Sequence, residues 1–501
     1  EPERQLLRRL SVFAGGFSLE AAEAICSGDG IEAGDVLALV SELVERSLVM
    51  ADIHGPSARY RLLETVRQYA SEKLIGTRGG ETVRARHLDW FLSLALHAEP
   101  MLTVSDERSF DRLEAEHDNI RAALDTSLLA GTPEKGLRLA AALRRFWQVR
   151  GYWTEGRQRL EMLLRAGAGV HDAVRAKAMN AAAQLAQHQG DYGRARALAE
   201  ESLALFRALR DPSGVASALN VLGNVRYEQG DYQVARRLHD ESLASAREAG
   251  DTPMAAASLL NLGVIADHEG EYARAEAVCQ ESLGLFRQVD DRRGIAAALN
   301  ALGVVAADQG DYTTARIRHE ESLAIRRGLG DRRGIAGSLS SLGMVAVPQG
   351  DFASARRYFE ENLAIRRELG DRHGIGTALR SLGLLAWREG DSAQATALLE
   401  ESLTLRKAQG SRLGVAECLE ALAQIAVAAD PTKAGRLLAA ASTLRHAIGA
   451  PLPSSDLASY ERTVAAARLS LGTSVFQATW EEGRTMTLDQ AVQHALAVRT
   501  G

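Results

Sequence analysis

Apolar and small residues return every three or four positions through most of the stretch from 172 to 430, the period of one face of an α-helix. In one stretch they fall at Tyr312, Ala315, His319, Ser322 and Leu323; in the next, at Ile335, Leu339, Leu342 and Val345. Gly310-Asp311 precedes the first and Leu329-Gly330-Asp331 the second. Glycine suits the left-handed position just past a helix, and aspartate caps the helix that follows. The pattern predicts a helix over 312–328, a two-residue turn, and a helix over 332–347.

The block then repeats. Gly190-Asp191-Tyr192, Gly230-Asp231-Tyr232, Gly270-Glu271-Tyr272, Gly310-Asp311-Tyr312, Gly350-Asp351-Phe352 and Gly390-Asp391-Ser392 follow one another at forty residues without a slip. A fixed period of this length marks a solenoid, in which each unit buries its apolar face against its neighbours. Gly223, Gly263, Gly303, Gly343 and Gly383 hold one place inside a helix, and Ala235, Ala275, Ala315, Ala355 and Ala395 hold one place in its partner. A glycine inside a helix costs about 1 kcal/mol relative to alanine. Its recurrence in register therefore predicts close approach of the paired helices. Gly151-Tyr152-Trp153, followed by a helical pattern over 155–165, and Asp430-Pro431 read as degenerate copies at the two ends.

Residues 1–78 follow a different pattern. A helix is expected over 6–13, a second opening at Phe17-Ser18-Leu19-Glu20 with Ser18 as its cap, and a third over 35–46. Two short alternations, 47–52 and 59–63, are bridged by His54-Gly55-Pro56 and followed by a helix over 64–74. Three helices with a two-stranded wing make a winged-helix layout. The third helix would enter a DNA groove, yet it sets Asp35, Glu42 and Glu45 against Arg46, the wrong balance for phosphate contacts. No direct DNA binding by this module is expected. The domains expected are a winged helix (1–78), a helical connector with a degenerate repeat (79–171), the repeats (172–430) and a C-terminal helical cap (431–501).

With 46% hydrophobic and 25% charged residues, the composition is that of a folded soluble protein, and a net charge of −6 offers no field for nucleic acid or an acidic membrane. Three scattered cysteines, Cys26, Cys279 and Cys418, fit a reducing, cytoplasmic compartment. Neither a signal peptide nor an apolar run long enough for a membrane span is visible. The chain opens at Glu1-Pro2 without Met, so a piece of a longer protein is expected.

Candidate chemistry is sparse. None of Lys73, Lys135, Lys177, Lys407 and Lys433 stands in a glycine-rich loop before Ser or Thr, so any ATP or ADP site would lie upstream of this chain. His-Glu-x-x-His, Cys-x-x-Cys and Gly-x-Ser-x-Gly are absent, and neither catalysis nor a cofactor is expected here. His239, Cys279 and His319 share one repeat position and look like a ligand row. They stand on successive units with a helix between each pair. Helix axes pack about 8–10 Å apart, whereas zinc needs donors about 2.0–2.3 Å from one centre. Their equivalents Phe359 and Leu399 mark the position as interior packing. Glu200-Glu201, Glu320-Glu321, Glu360-Glu361 and Glu400-Glu401 lie beside the apolar stripe with Arg nearby, as a solvated face with i,i+4 pairing would.

Leu302-Gly303 and Leu342-Gly343, with the recurrent alanine of the partner helix, resemble the tetratricopeptide repeat in a longer, forty-residue form; the usual proline of that motif is replaced by Gly-Asp. A second resemblance rests on two strings, 10–22 (LSVFAGGFSLEAA) and 60–70 (YRLLETVRQYA), which look like the winged helix after the nucleotide-binding domain of actinobacterial STAND-class signal-transduction ATPases, LuxR-like and MalT-related regulators. The strings 113–124 (LEAEHDNIRAAL) and 480–491 (WEEGRTMTLDQA) look like the same proteins. Many NB-ARC relatives carry Met-His-Asp, with a nucleotide-sensing His, where this chain has Leu62-Leu63-Glu64; Leu63 at the His position carries no such contact over.

These resemblances imply a mainly α fold, a winged helix followed by an α-α superhelix of helix pairs. They also imply that the Leu-Gly helices line a concave groove. Its expected lining is Asn220, Asn224, Tyr227, Val264, His268, Asn300, Val304, Asp308, Met344, Arg380, Leu384, Trp387 and Arg388, positions that change from unit to unit while the frame does not. An apolar floor between asparagines and an Arg-Trp end suits a protein or peptide partner, or a small inducer. The function implied is the sensing region of a STAND-type transcriptional regulator, relaying binding through the winged helix to an upstream nucleotide-binding domain. The alternative is a free-standing interaction scaffold. A Gly-x-x-x-x-Gly-Lys-Ser/Thr loop encoded upstream would separate the two.

Overall fold

The computed structural model describes residues 1–52, 58–75, 78–103, 107–448, 450, 452 and 454–497. By its contacts the chain divides into two compact units, 1–182 and 183–501. The fold is mainly α, with an N-terminal winged helix followed by tetratricopeptide-type helix pairs.

The first unit opens with α1 (Pro2–Leu10), β1 (Phe17–Ser18), α2 (Leu19–Cys26), α3 (Val36–Glu45), β2 (Val49–Asp52), β3 (Arg59–Leu62) and α4 (Glu64–Leu74). The Ser18 hydroxyl accepts the Ala21 N–H at 3.2 Å, capping α2 as the sequence suggests. Phe13 and Phe17 stack at 4.7 Å inside a core that also holds Leu6, Leu10, Ile25, Val36 and Val40. The sheet has three strands, not two, in the order β1-β3-β2, all antiparallel, with Phe17 opposite Tyr60 and Val49 opposite Leu62. A two-residue strand offers no alternation to read, so β1 escapes the sequence pattern. The His54-Gly55-Pro56 bridge lies outside the described residues.

Six further helices follow among the described residues of this unit before its boundary: α5 (Arg78–Thr103), α6 (Glu107–Ala115), α7 (His117–Leu129), α8 (Pro133–Ala142), α9 (Arg144–Arg150) and α10 (Trp153–Ala166). Asn119 of α7 ties them to the winged helix. Its side-chain oxygen accepts the Ala14 and Gly15 N–H groups at 3.0 and 3.3 Å, and its amide donates to the Gly16 carbonyl at 2.8 Å. Arg59 of β3 pairs with Glu116 at 2.6 Å and donates to the Gly16 and Ala115 carbonyls at 3.0 and 3.1 Å. Two strings that carry the STAND resemblance therefore meet at one buried polar junction, where every lost partner would leave an unsatisfied group.

The unit boundary falls inside α11 (Asp172–His188), whose last turn, in the second unit, packs Ala186 against Ala195 of α12 (Tyr192–Leu209). The remaining pairs are α13 (Pro212–Glu228) with α14 (Tyr232–Ala249), α15 (Thr252–His268) with α16 (Tyr272–Gln288), α17 (Arg292–Asp308) with α18 (Tyr312–Gly328), α19 (Arg332–Ala346) with α20 (Phe352–Glu368), α21 (Arg372–Arg388) with α22 (Ser392–Ala408), and α23 (Arg412–Ala426) with α24 (Pro431–Ile448). Then come α25 (Ser454–Leu471), α26 (Thr473–Thr485) and α27 (Leu488–Leu496).

The turns are built as their residues dictate. Gly190, Gly230, Gly270, Gly310, Gly350 and Gly390 have φ between 76° and 89°, a region costly for a side chain. Asp191, Asp231, Asp311, Asp351 and Asp391 each accept a backbone N–H of the first turn that follows. The recurrent mid-helix glycines sit where the paired helices approach closely. A Cβ on Gly223 would lie 2.6 Å from His239, and one on Gly303 would lie 2.5 Å from His319. Gly263 and Gly343 face Cys279 and Phe359 in the same way. The His-Cys-His row is therefore the set of side chains packed on the glycine of their own unit. Among the described residues no three His, Cys, Asp or Glu side chains are grouped to hold a metal.

The acidic doublets divide the work differently from an i,i+4 pattern alone. Glu200 and Glu360 lie 3.8 Å from Arg196 and Arg356 one turn back. Glu241, Glu281, Glu361 and Glu401 instead meet Arg207, Arg247, Arg327 and Arg367 of the preceding pair, at 2.5 to 3.4 Å. Such exposed pairs contribute about 0–1 kcal/mol each; their regularity fixes rung-to-rung register more than stability.

Candidate functional site: a closed channel inside the repeats

The Leu-Gly helices of neighbouring pairs pack on one another in series, α13 on α15, α15 on α17, α17 on α19, and α21 on α23. They form the shorter, inner side of the curve. The curve is tight enough for its first helices to meet α19 and α21 across it. The Arg333 guanidinium donates to His188 Nδ1, the Tyr192 hydroxyl lies 3.4 Å from His373 Nδ1, and His373 Nε2 lies 3.6 Å from Glu228. Ala450 packs beside Gly230. The inner face is therefore a channel closed by polar contacts, not an open groove.

The sequence-predicted residues fall in distinct parts of this second unit. Asn224 donates to Asn220 at 3.2 Å, and the Asn220 amide nitrogen is buried with no hydrogen-bond partner. The Tyr227 hydroxyl and His268 Nε2 are 2.6 Å apart, with Tyr232 stacked on the imidazole at 5.3 Å. Burial lowers the His268 pKa and raises that of Tyr227, so both stay neutral. Val264 and Val304 are half-buried, and Met344 is 63% exposed. The Asn300 side-chain oxygen accepts from His319 Nδ1 at 3.1 Å, which ties it to the packing row. Asp308 faces Asp267; burial and the Asp308 carboxylate push Asp267 up to about 7.

Arg380, Leu384, Trp387 and Arg388 are brought together. They line one wall of a cavity of about 220 Å³, opposite Glu417, Glu420 and Gln424 of α23 and Asp456, Ser459 and Tyr460 of α25. Gln424 donates to Ser459 at 2.7 Å, and Arg445 holds Glu420 with two bonds of 2.6 and 2.9 Å. The Arg380 Nε is buried without a partner.

Glu417, Asp267, His373 and Arg333 were not among the predicted residues. His373 and Arg333 act across the channel, between rungs far apart in the chain, and no local period reports that; Asp267 meets Asp308 of the next rung. Glu417 did carry a signal. Its equivalents in the other units are Ser217, Ala257, Ala297, Gly337 and Thr377, all small, so a carboxylate there breaks the frame.

On the winged helix, α3 turns Leu37, Ser41, Glu42 and Glu45 outward, and Arg46 lies 3.7 Å from Glu42. Leu63 is exposed at the start of α4. No helix among the described residues is long and apolar enough to cross a membrane.

Comparison with known proteins agrees with this architecture. Residues 1–75 match the winged helix-turn-helix domain model, and 174–248, 254–328 and 334–408 match the tetratricopeptide repeat model. Proteins of Mycobacterium tuberculosis and Mycobacterium bovis, provisionally named HTH-type transcriptional regulators, are 36% identical over 223 residues, covering 43% of this chain. The match spans only a quarter (25%) of those relatives' length. Among solved structures, a Rap protein complexed with a competence and sporulation factor aligns over 81% of this chain and 100% of its own, at a TM-score of 0.52 and 14% identity, a likeness of fold alone. A Pyrococcus horikoshii STAND protein with a tetratricopeptide repeat sensor aligns over 80% of this chain and 62% of its own, with 14% identity and a TM-score of 0.43.

Proposed function

We propose that this winged-helix and tetratricopeptide-repeat chain is the sensing region of a STAND-type transcriptional regulator, and that its inducer or partner is held inside the channel. The observation that carries this reading is the cavity at Arg380, where Arg380 and Glu417 turn inward without ion-pair partners. Interior charges left unpaired are a poor use of a packed scaffold and a good use of a binding site.

The channel is closed by few contacts, so a ligand that favours a closed or an open form can shift the population between them. The winged helix passes that shift to a nucleotide-binding domain outside this chain. It reads no DNA itself in this account, because the outward face of α3 is acidic. Support also comes from the regulator names of the mycobacterial relatives and from the Rap protein, which has this fold and was solved with a bound factor.

Replacing Arg380 with Ala is expected to lower partner recovery from host extract at least tenfold while the melting temperature holds. Equal recovery by the variant and the parent would refute the channel as the binding site and favour the scaffold reading.

A further inference from the structure

We propose that the cavity between α21, α23 and α25 is a seat for a small zwitterion, an α-amino acid or the free-ended residue pair of a short peptide, with an apolar side chain. The proposal rests on the channel being the sensing site and names the chemistry of what it senses.

Arg380 projects from α21 and Glu417 from α23 into this cavity. Neither makes a hydrogen bond or an ion pair through its side chain with any described residue. Asp456 of α25 adds a second carboxylate in the same condition. The contrast with Glu420 of the same wall, locked by Arg445 of α24 at 2.6 and 2.9 Å, shows that the scaffold can pair its charges when packing asks for it. Opposite charges held in one half-buried space without touching leave both incompletely solvated, a state that costs free energy until something bridges them.

Each charge senses the other. Burial works against the Arg380 guanidinium, yet Glu417 and then Asp456 raise its pKa. Burial likewise works against the Glu417 carboxylate, and Arg380 leads the groups that lower its pKa. Both stay ionised and available. A carboxylate on Arg380 can form the two-pronged contact its planar fork favours, while an ammonium on Glu417 completes the bridge. Leu384 and Trp387 form an apolar wall beside them. At about 220 Å³ the cavity is smaller than the usual drug-sized pocket of roughly 300–1,000 Å³, which selects for one or two residues.

The test is calorimetric titration of the whole chain with leucine, phenylalanine, 3-phenylpropanoate, phenethylamine, the dipeptide Leu-Phe, and its acetylated, amidated form. Saturable binding of phenylalanine or leucine is expected, weakened at least tenfold on removal of either the amine or the carboxylate. Arg380→Ala should abolish the preference for phenylalanine over phenethylamine, and Glu417→Gln the preference over 3-phenylpropanoate. Arg380→Lys, which keeps the charge, should retain part of the first, showing that loss is not misfolding. Binding of the free dipeptide but not the amino acids supports the seat and assigns it to a peptide end. No binding of any free-ended ligand at millimolar concentration, or equal binding of the capped dipeptide, overturns it. Loss of partner capture by Arg380→Ala without zwitterion binding would sink the seat alone; unchanged capture would sink the sensing role.

Discussion

Replacing Gly343 with Ala should destabilise the repeats, although alanine is the better helix former. The helix gain is about 1 kcal/mol. Against it stands the Phe359 ring, which occupies the space a Cβ would take; the nearest ring atoms are those of its edge, held in a core with Ala355 and Leu363. Forcing a methyl into a packed core costs about 1–3 kcal/mol, so the net loss should be about 1 kcal/mol. Gly383→Ala is the control. There the nearest atom is Leu399 Cγ at 2.9 Å, on a side chain that can turn, and the net change should be near zero. Gly343→Ala combined with Phe359→Leu copies the Gly383 environment and should recover most of the loss. Urea unfolding midpoints followed by circular dichroism check all three. Because each rung leans on its neighbours, the comparison is between variants of the full chain. A Gly343→Ala chain more stable than the parent, or one that loses no more than Gly383→Ala, would refute the close-approach argument.

Arg210 and Asp290 stand where Gly250, Gly330, Gly370 and Gly410 make the same turn, and they hold φ of 55° and 52°. Arg210→Gly and Asp290→Gly should each raise stability by about 0.5–1 kcal/mol in the same unfolding assay. Burial lowers His239 and His319 to about 4. A depressed folded pKa gives stability that is intact above the unfolded value of 6.5 and lost as pH falls through about 4; His239→Phe, copying Phe359, should flatten this acid limb. Asp267 has the opposite sign. Its raised folded pKa, about 7, gives stability present below the unfolded 3.8 and lost as pH rises through about 7. Asp267→Asn should therefore gain on the parent more at pH 8 than at pH 5, measured by thermal melts.

The sequence made the array legible because a solenoid is local: glycine, aspartate cap and apolar stripe report on neighbours in the chain. It placed α4 at Glu64–Leu74 and the Ser18 cap correctly. It missed β1, whose two residues carry no period, and it read a concave groove without the contacts of Arg333, His188, Tyr192 and His373 that close it into a channel. Closure depends on the small angle between successive rungs, summed over the array, and no residue pattern states that angle. The candidate site was legible on the α21 side, through Arg380, Leu384, Trp387 and Arg388, and dark on the facing side, because Asp456 and Glu417 come from a cap helix and from a repeat position reserved elsewhere for small residues.

The claim on which all of this turns is that a partner sits inside the channel. A photo-reactive amino acid placed at Val304, on the inner face, and separately at Glu321, on an outer helix, tests it in cells producing the intact protein. The account predicts a single adduct of defined mass from position 304 and none from 321. Adducts from 321 alone, or equal adducts from both, would contradict it.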